Sequence, residues 1–201
     1  AVRGMNRLNA AEDFYFLNKL AKVGPIRRID TTRVYPAARP SQRVPFGTGR
    51  RMIQSLAGDH DGYLLYDPRV FSLLRQWLSA VASDPDQSGS RLEAAAKGVH
   101  PLLAEFLGEQ AFFDSWEKIR KNGRRSSFLT RQFHFWFDGF KTLKLIHYLN
   151  DRSFPAMEMA AALETLFALM RLESPVRVNP RRMISSGEQW VLLDYLRQVA
   201  P

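Results

Sequence analysis

From Arg50 onward, apolar side chains recur at helical rather than strand spacing, and no other feature of this 201-residue sequence constrains the fold as much. The spacing predicts helices over 50–56, 68–83, 90–107, 111–122, 127–150, 155–172 and 186–199. Gly98 and Pro101 are placed to split the third of these. Asp84 to Gly89 is rich in turn residues and reads as a surface connector. Gly123 marks a stop and Ser126-Ser127 a restart. Pro155 suits the first position of the sixth helix, and Pro175 to Pro180 reads as irregular. No internal repeat or low-complexity tract interrupts the pattern. With 45 % apolar and 24 % charged residues the composition is that of an ordinary globular chain, and 14 phenylalanines supply bulk for a core.

The first fifty residues read differently. Phe14, Leu17, Leu20 and Ala21 have helical spacing within a helix expected over 10–23. Asn9 is the expected N-cap, Glu12 and Asp13 put negative charge in the first turn, and Gly24-Pro25 ends the helix. Ile26 to Tyr35 is rich in β-branched residues and predicts one or two short strands. Pro36 to Gly49 contains three prolines and two glycines, the composition of a long loop. The expected fold is mainly α: a bundle-like helical domain over 56–201, preceded over 1–55 by a helix, a small β element and a basic loop.

Several classes are set aside by composition. The chain has no cysteine, which removes disulfides, thiolate catalysis and cysteine-based zinc sites. Ala1 to Asn6 is not followed by the apolar stretch of a signal peptide, and no apolar run reaches the roughly 18 residues that cross a bilayer. A cytoplasmic location is expected, with peripheral contact to the inner face of a membrane as an extension of it. The net charge of +9 and pI near 10.2 favour anionic partners: nucleoside diphosphates, phospholipid surfaces or nucleic acid.

Two strings carry a family resemblance. The first is Ala11-Glu12-Asp13-Phe14-Tyr15-Phe16-Leu17-Asn18-Lys19-Leu20-Ala21-Lys22-Val23-Gly24, preceded by Gly4-Met5-Asn6. The second runs Val34-Tyr35-Pro36-Ala37-Ala38-Arg39-Pro40-Ser41-Gln42-Arg43-Val44-Pro45-Phe46-Gly47-Thr48-Gly49. In content, order and spacing they resemble the helix after the acceptor loop of bacterial family 2 glycosyltransferases, and the strand and basic loop that follow it. The resemblance implies the C-terminal part of a longer enzyme. Residues 1–55 would be a remnant of its GT-A catalytic domain and 56–201 a helical extension. It implies inverting transfer of a sugar from a nucleotide-sugar donor to a hydroxyl acceptor, and no activity for this part alone. The family's nucleotide-binding strands and its Asp-rich metal motif are not in this sequence. A divalent metal, Mg or Mn, is therefore expected only in the full-length enzyme. The Gln-Arg-Trp signature of processive members is also missing, which favours single addition over polymer synthesis.

The residue types suit that chemistry. An inverting transferase needs a carboxylate to take the proton of the attacking hydroxyl. The resemblance gives this role to Asp13, near a helix N-terminus where negative charge is favoured, and leaves Glu12 to bind acceptor hydroxyls. The leaving nucleoside diphosphate needs its charge neutralised, and guanidinium groups suit phosphate oxygens. Arg39 and Arg43 in the loop could do this, with Ser41 adding a hydrogen bond; the other reading of the loop is a solvated basic turn. Asp59-His60-Asp61-Gly62 has metal-capable side chains but no second cluster to complete a site.

The helical part allows a second class of function, a basic all-helical binding module without catalysis. It could also mediate homo-oligomer formation. Basic residues crowd Lys118 to Arg125 and aromatic residues follow from Phe128 to Phe140, a mixture seen in nucleic-acid and membrane-interface segments. Phe133, Phe137 and Phe140 share helical spacing, however, which points to core and makes nucleic acid the less favoured partner. His134 and Asp138, four apart, are expected to form a structural pair.

Overall fold

A computed structural model describes residues 4, 11–27, 29, 31–32, 34, 37, 39–40, 42, 48–57, 64–178 and 184–199. The chain divides into two compact units, residues 1–63 and 64–201. Among the described residues the fold is mainly α, with ten helices and one two-stranded antiparallel sheet.

The first unit contains α1 (Glu12–Ala21) and α2 (Thr48–Leu56). Helix α1 begins two residues later than the spacing predicts, because Ala11 is left-handed (φ 59°, ψ 21°) and a right-handed helix cannot run through it. Ala11 is therefore the N-cap, with no side-chain bond to the helix; Asn9, the expected cap, lies outside the described residues. At the other end the N–H groups of Val23 and Gly24 donate to the Leu20 carbonyl at 2.9 and 3.1 Å, closing the helix before Pro25. The described residues between 26 and 35 are not in a strand, and Arg28, Asp30, Arg33 and Tyr35 lie outside the described residues; the fold's small β element is the sheet of residues 64–65 and 157–158. β-Branched content favours a pleated surface only where a second strand offers a ladder. Among the described residues of this unit none is buried.

The second unit holds β1 (Leu64–Leu65), α3 (Pro68–Ser83), α4 (Gly89–Val99), α5 (Pro101–Glu109), α6 (Phe112–Asn122), α7 (Ser126–Trp136), α8 (Gly139–Arg152), β2 (Met157–Glu158), α9 (Met159–Met170) and α10 (Ser186–Val199). The small sheet lies here, where Leu64 pairs with Glu158 and Leu65 with Met157. Helix α3 packs against α4, α8 and α9, and α5 against α4, α6 and α8. Their shared core is aromatic. The Trp77 ring meets Phe112 and Phe133 edge-on at 5.9 and 6.0 Å, and Trp116 stacks on Phe112 at 5.9 Å. Phe133 and Phe137 are buried and stacked at 5.5 Å, so these two rings of the expected stripe are core, while Phe140 is half-buried on α8. A smaller core joins Leu163 and Phe167 of α9 to Leu192 of α10.

Caps explain where the predicted helices divide. His100 is extended, its Nδ1 accepts the Leu102 N–H at 3.2 Å, and Pro101 follows as the first residue of α5, so 90–107 splits as expected. The helix predicted over 127–150 is two helices. Asp138 is extended, and its carboxylate accepts the N–H groups of Phe140 and Lys141 at 3.0 and 3.2 Å, which starts α8 anew. His134 and Asp138 thus sit on different elements, and the helical face proposed to pair them does not exist. Pro155 does not open α9. The chain from Pro155 continues into β2, and the helix starts at Met159.

Candidate functional site

The residues expected to carry chemistry belong to the first unit. Glu12 and Asp13 occupy the first turn of α1, with Glu12 half-buried and Asp13 exposed. The Asp13 carboxylate accepts the Phe14 N–H at 2.7 Å. The Ala11 carbonyl accepts the Tyr15 N–H at 3.0 Å, so the helical ladder begins on a residue in left-handed geometry. For an alanine that conformation costs about 1–2 kcal/mol. The cost falls directly before the two carboxylates, and strain of this kind concentrates at functional positions.

Helical geometry separates the two acids. Consecutive residues are about 100° apart, whereas Asp13 and Leu17, four apart, lie one turn above one another. Leu17 is 50 % exposed. Asp13 therefore stands on a face of α1 that also presents an uncovered aliphatic side chain, and Glu12 faces elsewhere. Arg39 is exposed, and its backbone N–H donates to the Ala37 carbonyl at 3.0 Å, a tight reversal in the proline-rich loop. Among the described residues no hydrogen bond or ion pair joins Arg39 to Glu12 or Asp13. Ser41, Arg43 and the Asp59–Gly62 segment lie outside the described residues. Among the described residues no group of three or more His, Asp and Glu side chains is placed to hold a metal ion.

In the second unit the polar clusters brace the fold. The basic cluster between 117 and 125 is the clearest case. Arg120 is only 11 % exposed; its Nε donates to Asp86 at 3.1 Å and its Nη1 to Glu117 at 3.0 Å. Glu117 also accepts the Gly89 N–H, and the Trp116 indole donates to the Gln87 carbonyl at 2.9 Å. The Gly89 N–H and the neighbouring Arg120 hold the Glu117 carboxyl below its ordinary range. These contacts pin the 84–88 connector to α6 and commit Arg120, while Lys118, Lys121, Arg124 and Arg125 of the same cluster are exposed.

Three further groupings were not singled out in the sequence. Asp67 is fully buried, caps α3 through the Arg69 N–H at 2.9 Å and is forked by the Arg69 guanidinium. Burial pushes its carboxyl up, but the Arg69 hydrogen bonds and charge outweigh this and leave it below the ordinary value. The Asp67-Pro68 step, a capping residue before a first-position proline, was the legible signal. Tyr66 and His147, both exposed, share a hydrogen bond at 2.7 Å between β1 and α8, and nothing in their local sequence announces it. The Tyr148 hydroxyl lies 2.7 Å from Glu105 and 3.1 Å from Glu109, with Arg152 over its ring at 3.6 Å. Burial and the two carboxylates raise the phenol well above its usual value. The four-residue spacing of Glu105 and Glu109 on α5 is the signal that would have found this group.

No protein-family model, curated protein or solved structure matches the chain. Among the described residues no helix is long and apolar enough to cross a membrane.

Proposed function

We propose that this chain supplies the acceptor side of an inverting glycosyltransferase, with Asp13 as the general base and Glu12 as a ligand for acceptor hydroxyls. The donor diphosphate is held by Arg39, Arg43 and Ser41, and a divalent metal enters with a donor-binding portion that these residues do not provide. One observation supports the reading above the others: Asp13 is exposed on the first turn of α1, two residues after strained Ala11 and on the same face as half-exposed Leu17. A carboxylate meant to take a proton from a sugar hydroxyl must be reachable by it. The aliphatic side chain beside it suits a face that substrate or a neighbouring domain closes over.

The test starts from the gene. The reading requires coding sequence upstream for an alternating strand–helix domain with an Asp-rich motif. In that longer protein, Asp13→Asn should lower kcat by about 10²–10⁴-fold with little change in KM, since it removes a group that acts in the transition state. The lack of such a domain, or near-normal turnover in the variant, would return the chain to the other class, a helical binding module without catalysis.

A further inference from the structure

Helix α10 carries apolar side chains on both of its faces. Its start is fixed by a reciprocal cap: Ser185 Oγ accepts the Glu188 N–H at 3.4 Å, and the Glu188 carboxylate accepts the Ser185 N–H at 2.9 Å. With consecutive residues about 100° apart, Leu192, Tyr195 and Leu196 turn one way and pack on Leu163 and Phe167 of α9. Trp190, Leu193, Asp194 and Arg197 fall within an arc of about 100° on the opposite side, and all four are exposed. Trp190 is 67 % exposed and Leu193 40 %; Val191, at the margin of the arc, is 48 % exposed. A helix with apolar side chains all round is normally covered all round, and an uncovered tryptophan in the middle of a face marks a contact surface.

We propose that this face of α10 is an interface between two copies of this chain. Charge selects the class of partner first. The chain carries +9, yet Ser186–Val199 holds two acids, Glu188 and Asp194, against one base, Arg197, a net charge of −1. That composition suits neither an anionic phospholipid surface nor nucleic acid, both of which call for basic side chains. It also spares two copies of a strongly basic chain from meeting through like charges. The stripe is, further, its own complement. With a two-fold axis crossing the helix between residues 193 and 194, two antiparallel copies of α10 set Trp190 of each level with Arg197 of the other. Arg197 then lies over an indole ring and one turn from Asp194 of the second copy, in reach of a cation–π contact and an ion pair. Both contacts form twice, and the Leu193 side chains meet near the axis. The sequence allowed a homo-oligomer without placing its surface; the exposure on α10 places it, and the proposal does not depend on glycosyl transfer. One helix of 14 residues per partner is a small interface, so the dimer is expected to be weak, with a dissociation constant in the micromolar range.

Sedimentation velocity on the whole chain over a range of concentrations measures the association. Trp190→Ala should raise the dimer dissociation constant about tenfold or more, because it removes the central aromatic ring from both copies. Asp194→Arg and Arg197→Asp each turn two attractions into two repulsions, and each should weaken self-association about tenfold or more. Mixed in equal amounts, these two charge variants regain both ion pairs between unlike copies, and the mixture should dimerise about tenfold more tightly than either variant alone. A purely local role for the two side chains would give no such recovery. Unchanged far-UV circular dichroism shows that each variant remains folded, and Trp190→Ala provides the second measurement if a charge variant does not. A wild type still monomeric at about 1 mM would overturn the proposal and leave the face to a different protein. So would charge variants that dimerise as tightly as wild type, or a mixture no tighter than its components. Because the readout is mass, its failure leaves the role of Asp13 untouched.

Discussion

Asp67 offers the sharpest test of how the helical unit is held together. Its carboxylate does two things that separate variants can resolve. It caps α3 through the Arg69 N–H, and it takes the Arg69 guanidinium in a fork. Asparagine caps helices about as well as aspartate but cannot hold the fork as a charged partner, whereas alanine does neither. Losing a cap costs about 1 kcal/mol. Charge-assisted hydrogen bonds contribute about 1.5–3 kcal/mol, but Arg69 is 55 % exposed and regains hydration when its partner goes. Relief of the buried charge offsets part of the rest. These terms give about 1 kcal/mol for Asp67→Asn and about 2 kcal/mol for Asp67→Ala, the latter lowering Tm by roughly 4–8 °C for a chain of this size. The pH dependence has a definite sign. The folded carboxyl lies below its ordinary value, so between the two values the unfolded chain binds more protons and stability rises with pH. The gap between wild type and Asp67→Asn should be level above about pH 5 and shrink as the pH falls below about 4. Urea denaturation at several pH values measures both quantities. No loss in Asp67→Asn, or a gap that widens in acid, would show that the fork does not act as argued, and equal losses in the two variants would show that the cap does not.

Three other outcomes follow from single positions. Gly89→Ala should cost about 1–3 kcal/mol, because the new Cβ would lie 3.0 Å from the Phe113 carbonyl oxygen and 3.3 Å from Glu117; denaturation midpoints within error of wild type would contradict this crowding. Ala111→Gly should stabilise the chain by about 0.5–1 kcal/mol, since φ at Ala111 is 51° and glycine escapes a left-handed penalty larger than its added unfolded-state entropy; a lower Tm would refute it. In the longer enzyme, Arg39→Ala should weaken nucleoside-diphosphate binding about ten- to a hundredfold with partial rescue by Arg39→Lys, and calorimetric titration showing unchanged affinity would leave the loop with no donor role.

Helix positions were legible where apolar periodicity and a stop signal agreed. Pro68–Ser83 and Ser186–Val199 have the bounds that their spacing predicts. Where periodicity continued through a break, the sequence misled: Phe133, Phe137 and Phe140 keep helical spacing across Asp138, and only the competition of its carboxylate for the next N–H groups ends one helix and starts another. The β pairing of Leu64–Leu65 with Met157–Glu158 was invisible because two-residue strands have no alternation to detect, and their partners are far apart in the chain. The candidate site shows the same limit from the other side. That Glu12 and Asp13 would lie in a first turn was readable from residue types. Which of them is exposed, and on which face, depends on where the helix starts. That start is set by left-handed Ala11, a residue with no capping side chain and no propensity for its own conformation.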